Sequence, residues 1–211
     1  MSLPSRLLGA NPSIQVSTLL SGSLSTPSAK QAFVSNSYES IATVTVGAGG
    51  QSTMTFSSIP STYTHLQLRG LIRNSSASTG QLDMYMRFNG DSGATKYTAY
   101  HLFYGQDTTS KGSAASFNQS SIAGAYFLRD GNSANYFTAV IIDIFDYKNT
   151  NKFKSTKSFV GSNPASTVGR IALMGGLWKD TSAITSIDLT VEGGNNFVQY
   201  SQLALYGIKG A

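Results

Sequence analysis

Side chains able to do chemistry are few in this sequence, and none falls into a catalytic spacing. A serine nucleophile needs a base, usually His, held in turn by a carboxylate. The two histidines are His65, which opens an apolar-alternating stretch beside Thr64, and His101, inside a Tyr-rich one. No Gly-x-Ser-x-Gly turn occurs to expose a nucleophile, so both histidines read as strand residues engaged in structural hydrogen bonds. Two histidines without a single cysteine cannot build a usual zinc site. Asn89-Gly-Asp91 and Asp130-Gly-Asn132 offer oxygen ligands but lack the length and carboxylate number of a calcium loop, and read as turns. Asp143 and Asp146 are three residues apart, which on a strand sends them to opposite faces and rules out a facing acid pair. Because Asp143 interrupts an apolar run, its expected role is a partly buried partner for an Arg or Lys on a neighbouring strand. Gly47-Ala-Gly-Gly has neither the Lys nor the following helix of a phosphate loop. The expectation is a chain that is not an enzyme, with no catalytic residue, no metal and no cofactor.

Two groupings point to binding instead. Tyr97, Tyr100 and Tyr104, with Phe103 and His101 between them, give stiff contact area with polar tips, suited to interfaces or to stacking on sugars. Alternation puts Tyr97, His101 and Phe103 on one face and Tyr100 and Tyr104 on the other, so one set belongs to the core. Trp178 joins the Tyr residues as a candidate glycan or interface aromatic. Lys148, Lys152, Lys154 and Lys157 fall within ten residues that contain no acid, interleaved with Phe153. Such a run could hold phosphates. A Lys-rich edge strand is also the usual protection against edge-to-edge association. With a net charge of only +5 and no concentration of Arg, a solvated basic edge is the better reading, and no nucleic-acid partner is expected.

The elements that must position these residues are strands. From Glu39 onward the apolar pattern has a period of two. Ile41 to Val46 is β-branched and stops at a glycine turn, and Met54 and Phe56 alternate with Thr. Leu66, Leu68 and Ile72 share a face, as do Leu82, Met84, Met86 and Phe88. Tyr136 to Phe145 is nearly continuous in apolar character, which predicts burial on both faces, at a sandwich centre or against a partner subunit. Lys152 to Val160 is polar and basic and is expected at an edge. Stretches at Tyr97–Tyr104, Ser121–Leu128, Ile171–Met174, Ile184–Val191 and Phe197–Ile208 complete ten or eleven strands, with no convincing helical period. Short strands with Gly/Asn/Ser turns predict an all-β fold, an antiparallel, jelly-roll-like β-sandwich over residues 38–211. No period of 40–50 residues supports a propeller.

Residues 1–37 differ. They hold no acid before Ser37, are rich in Ser and Gly, and are punctuated by Pro4, Pro12 and Pro27, which excludes a continuous helix. The segment reads as an extended arm that orders on a partner, with Arg6, Leu7, Leu8, Ile14, Val16, Leu19 and Leu20 as anchor residues. It lacks the apolar stretch of a secretory signal, and no window reaches the ~20 apolar residues of a membrane span, so no membrane association is expected.

Only 12% of residues are charged, while Ser, Thr, Asn and Gly number 32, 20, 12 and 21. The surface is therefore mainly neutral hydroxyl and amide, and it stays soluble without leaning on ion pairs that salt would screen. The absence of cysteine removes any redox step from assembly.

Several stretches resemble virion proteins of tailed bacteriophages, including phages of cyanobacteria. They are Tyr38-Glu-Ser-Ile-Ala-Thr-Val-Thr-Val-Gly-Ala-Gly-Gly, Phe56-Ser-Ser-Ile-Pro-Ser-Thr-Tyr-Thr-His-Leu-Gln-Leu-Arg-Gly, and Arg87-Phe-Asn-Gly-Asp-Ser-Gly. Asp143-Ile-Phe-Asp-Tyr-Lys-Asn-Thr-Asn-Lys and the terminal Asn196-Phe-Val-Gln-Tyr-Ser-Gln-Leu-Ala-Leu-Tyr-Gly-Ile-Lys extend the likeness over residues 38–210. Leu3-Pro-Ser-Arg-Leu-Leu-Gly-Ala and Thr26-Pro-Ser-Ala-Lys add to it. The resemblance implies a structural protein on the outer surface of a virion, made in the host cytoplasm. It is expected as a fibre or appendage component, with a capsid decoration protein as the alternative. It further implies a homotrimer attached through its arm to capsid or tail proteins, in possible contact with a host-surface glycan. An alternative of another class, from the aromatics alone, is a carbohydrate-binding module.

Overall fold

Period-two alternation becomes β-structure nearly everywhere it occurs. In the computed structural model, which describes residues 37–78, 81–105, 111–128, 135–162 and 169–210, twelve strands form two antiparallel sheets. The strands are β1 (Tyr38–Thr45), β2 (Thr53–Phe56), β3 (His65–Ile72), β4 (Gln81–Phe88), β5 (Tyr97–Gly105) and β6 (Lys111–Gln119). They continue with β7 (Ile122–Leu128), β8 (Thr138–Ile144), β9 (Lys154–Ser162), β10 (Arg170–Trp178), β11 (Ile187–Val191) and β12 (Gln202–Ile208). The only helical element among the described residues is a 3-10 turn at Glu192–Gly194. All described residues belong to one unit that begins at Ser37. The expected arm, with its seven anchor residues, lies outside them, as does Asp130-Gly-Asn132.

The topology is a jelly roll with two inserted hairpins. One sheet contains the order β1-β12-β3-β8 and the other is β2-β11-β4-β7. Successive strands of this set of eight cross between sheets at every step except β4 to β7, which pair within the small sheet, as a jelly roll of two Greek keys requires. The hairpins β5–β6 and β9–β10 both extend the first sheet, which becomes β1-β12-β3-β8-β9-β10-β5-β6. Its inner face is built by alternation: Leu66, Leu68 and Ile72 of β3 and Val140, Ile142 and Ile144 of β8 are buried. They belong to the same core as Met54, Phe56, Met84, Met86, Phe88 and Leu189 of the small sheet. Removing such side chains from water is the main favourable term in folding.

Two expectations about strand environment are corrected. The basic stretch is not an edge: β9 lies between β8 and β10 in the large sheet. Its inward positions are Lys154, Thr156, Ser158 and Val160, so hydroxyls and one ammonium face the interior and hide the usual apolar signature. Lys154 is fully buried. Its ammonium donates to the carbonyls of Asn149 at 2.6 Å, Lys152 at 2.8 Å and Thr181 at 2.9 Å, and burial lowers its pKa. Three acceptors are what an ammonium needs to be tolerated out of water. Nor does the chain itself cover both faces of β8 as a sandwich centre would, because Ala139 is exposed and Ile141 and Asp143 are only partly buried.

Candidate functional site

The small, scattered chemical groups are occupied structurally. The His65 ring nitrogen Nδ1 accepts the Asp146 backbone N–H at 3.0 Å, and its ring meets Phe145 edge-on. His101 Nε2 is hydrogen-bonded to the Tyr126 hydroxyl, and burial lowers the histidine pKa and raises that of the tyrosine. In the Asn89-Gly-Asp91 turn, Asn89 Oδ1 accepts from the N–H groups of Thr185 and Ser186, and Asp91 accepts from Gly93 N–H and from Trp178 Nε1. Among the described residues, no three His, Cys, Asp or Glu side chains come together as a metal-binding group. Asp83 is the most perturbed acid: burial, then the neighbouring Glu192 carboxylate, pushes it up to about 7. One of its carboxylate oxygens, Oδ1, is buried without a hydrogen-bond partner.

The candidate aromatics divide. Tyr97 and Trp178 are corrected to core residues, 0% and 2% exposed. They stack at 6.4 Å between ring centroids, with the Trp178 indole N–H donating to Asp91 at 2.8 Å and the Tyr97 hydroxyl to the Asp91 carbonyl at 2.9 Å. Cross-strand pairing of Trp178 with Tyr97 puts both on the inner face. Tyr100 and Tyr104, on alternate positions of the same strand, point outward and are exposed.

The four lysines form no common surface. Lys148 is exposed in the turn after β8, Lys152 pairs with Asp146, Lys154 is buried, and Lys157 stands on the outer face of β9. The Lys152 ammonium, bonded to Asp146, is the first cause holding that carboxyl below its usual pKa. On the outer face Lys157 is the cross-strand neighbour of Asp143. Asp143 thus has a lysine beside it and accepts a hydrogen bond from Gln67 Nε2 at 2.6 Å.

What the structure assembles is the outer face of the eight-stranded sheet, which the small sheet does not cover. Register places Leu71 of β3, Phe159 of β9, Ile171 and Leu173 of β10, and Leu102 and Tyr104 of β5 on this face. They are between 42% and 67% exposed. Leu173 is directly opposite both Phe159 and Leu102, and Ile171 is opposite Tyr104, which makes two neighbouring rows; Leu71 stands in the second row beyond Gly161 and Ala139. Six large side chains half in water amount to on the order of 500 Å² of apolar surface, toward the upper end of the largest patch a monomer exposes, a patch that is often functional. At the end of this band a cleft of about 690 Å³ opens between Leu71, Tyr104, Ile171 and the Tyr136–Phe137 segment. One register row further along the strands the same face turns polar, with Gln67, Asp143, Lys157 and Tyr100.

Of the band, sequence reasoning identified Tyr104 as a binding candidate and assigned the others only to strands. The available signal was apolar character on both alternating sets of β8 and β10. No protein-family model, curated protein or solved structure matches this chain.

Proposed function

We propose that the chain is a non-enzymatic structural subunit of a tailed-bacteriophage virion, an external jelly roll carried on its N-terminal arm as a fibre or appendage component. The single observation that carries the reading is the apolar band Leu71–Phe159–Leu173–Leu102–Ile171–Tyr104 on the open face of the large sheet. A face of this kind is unstable in water by itself and is covered when copies associate, because burial of apolar area drives association as it drives folding. The six side chains of the band are uncharged, and the cations that share its rows, Arg69 opposite Ile141 and Lys111 opposite Tyr104, stand at its two margins. The neutral surface elsewhere and the resemblance of residues 38–210 to virion proteins support the same reading.

The test has two parts. Light scattering of the purified chain is expected to give a homotrimer, three times the 22.4 kDa chain mass. A truncation beginning at Ser37 is expected to fold, to retain the mass of a trimer of the shortened chain, and to fail to incorporate into particles. Unchanged incorporation of the truncated protein contradicts the role of the arm.

A further inference from the structure

We propose that the polar half of the same outer face is a binding site for a neutral sugar of a bacterial surface glycan, built on Tyr100 and the side chains in its cross-strand row. Tyr100 crosses over its neighbour Gly175: a Cβ added to the glycine would come within 2.4 Å of the tyrosine Cζ. The ring is thus seated on bare backbone with its other side in solvent, 60% exposed. Only a glycine leaves room for it there. A ring held in this way is an apolar platform that loses little freedom when a ligand stacks on it, and the axial C–H groups of a pyranose are the ligand surface that matches such a platform.

The next positions of the row supply hydroxyl recognition. Gly175 is opposite Lys157, Lys157 is opposite Asp143, and Asp143 is opposite Gln67. Strands stand about 4.8 Å apart, so the Asp143 carboxylate is roughly 10 Å from the ring seat, within the length of a disaccharide. Its orientation is fixed by a relay, in which the Tyr38 hydroxyl donates to Gln67 Oε1 at 2.7 Å and Gln67 Nε2 donates to Asp143 Oδ1 at 2.6 Å. The other carboxylate oxygen can accept from one sugar hydroxyl while the Lys157 ammonium donates to the next. Because the two groups carry opposite charge side by side, the row favours vicinal hydroxyls of a neutral sugar over an anionic one. The bacterial source of the glycan rests on the virion reading, whereas the site itself does not.

The experiment is saturation-transfer NMR followed by calorimetry on the full chain, with a panel of neutral glucose, galactose and mannose disaccharides at millimolar concentration. At least one disaccharide is expected to bind. Its affinity should fall roughly tenfold or more in Tyr100→Ala, fall in Asp143→Asn and Lys157→Ala, and persist in Tyr100→Phe and in the distant control Phe153→Ala. Solution mass, which reads the apolar band, should be the same in Tyr100→Ala as in the unaltered chain. No binding across the panel, or binding that survives Tyr100→Ala, overturns the site. Sugar binding by a chain that is absent from particles would leave the site standing and overturn only the virion position.

Discussion

The Lys154 ammonium donates to the Thr181 carbonyl at 2.9 Å, joining the start of β9 to the loop that leads into β11. With the Asn149 and Lys152 carbonyls as its other acceptors, this lysine does for two loops what a bound cation does elsewhere. Replacing it by Met keeps the length of the side chain but leaves three carbonyls without their donor. The expected cost is about 3–5 kcal/mol, read as a fall in urea midpoint without loss of the β-sheet spectrum. A Lys154→Met variant as stable as the parent would show that water satisfies those carbonyls.

Gly175 and Gly176 are adjacent and are expected to behave differently. A Cβ on Gly176 would stand 2.5 Å from Ile122 Cγ2 and 2.7 Å from Thr156 Oγ1, both inside the core. Gly176→Ala should therefore cost about 1–3 kcal/mol by overpacking. The three atoms nearest a Cβ on Gly175 all belong to the Tyr100 phenol, which can swing into solvent, so Gly175→Ala should change stability little while weakening disaccharide binding. Thermal melts and the sugar titration, run on both variants, separate the two effects.

Asp83 makes stability depend on pH near neutrality. Its folded-state pKa of about 7 exceeds the ordinary value of 3.8, so between these values the native state holds a proton that the unfolded chain has released. Stability contributed by this group is then present at low pH and is lost as pH rises through 7. The physical cause is burial of the carboxylate, with Oδ1 unpaired and Glu192 nearby. Asp83→Asn should remove that loss, raising Tm by several degrees at pH 8 and by much less at pH 5. An equal change at both pH values would assign the effect to packing.

The jelly roll was largely readable in the sequence because most of its strands bury one face against one core. Leu66, Leu68 and Ile72, or Met84, Met86 and Phe88, announce themselves by alternation. The two inserted hairpins were harder. β6 presents Lys111–Gln119 exposed on both faces, so no apolar period marks it, and it was not expected. β10 runs through Gly175-Gly176, a pair that ordinarily signals a turn; here Tyr100 covers one glycine and Ile122 crowds the other. In β9 the inward Thr156 and Ser158 look like surface residues until the register places them. Tyr97 and Trp178 went the opposite way, their polar tips suggesting a surface role that Asp91 in fact satisfies inside. Outward Phe159 and Leu173 could be placed on a common face with Leu102 only once the strand order was known, because the two hairpins that bring β9, β10 and β5 side by side are separated by the stretch from Gln119 to Lys154, which holds β7 and β8.

The central claim is that the apolar band is where copies of this chain meet. Light scattering on the parent and on a Phe159→Ser/Leu173→Ser double variant tests it most directly. Both substitutions lie on the outer face, so the fold should be retained and confirmed by an unchanged β-sheet spectrum. The account predicts a trimer for the parent and a 22.4 kDa monomer for the folded variant. A monomeric parent, or a folded variant that keeps the full oligomeric mass, would contradict it.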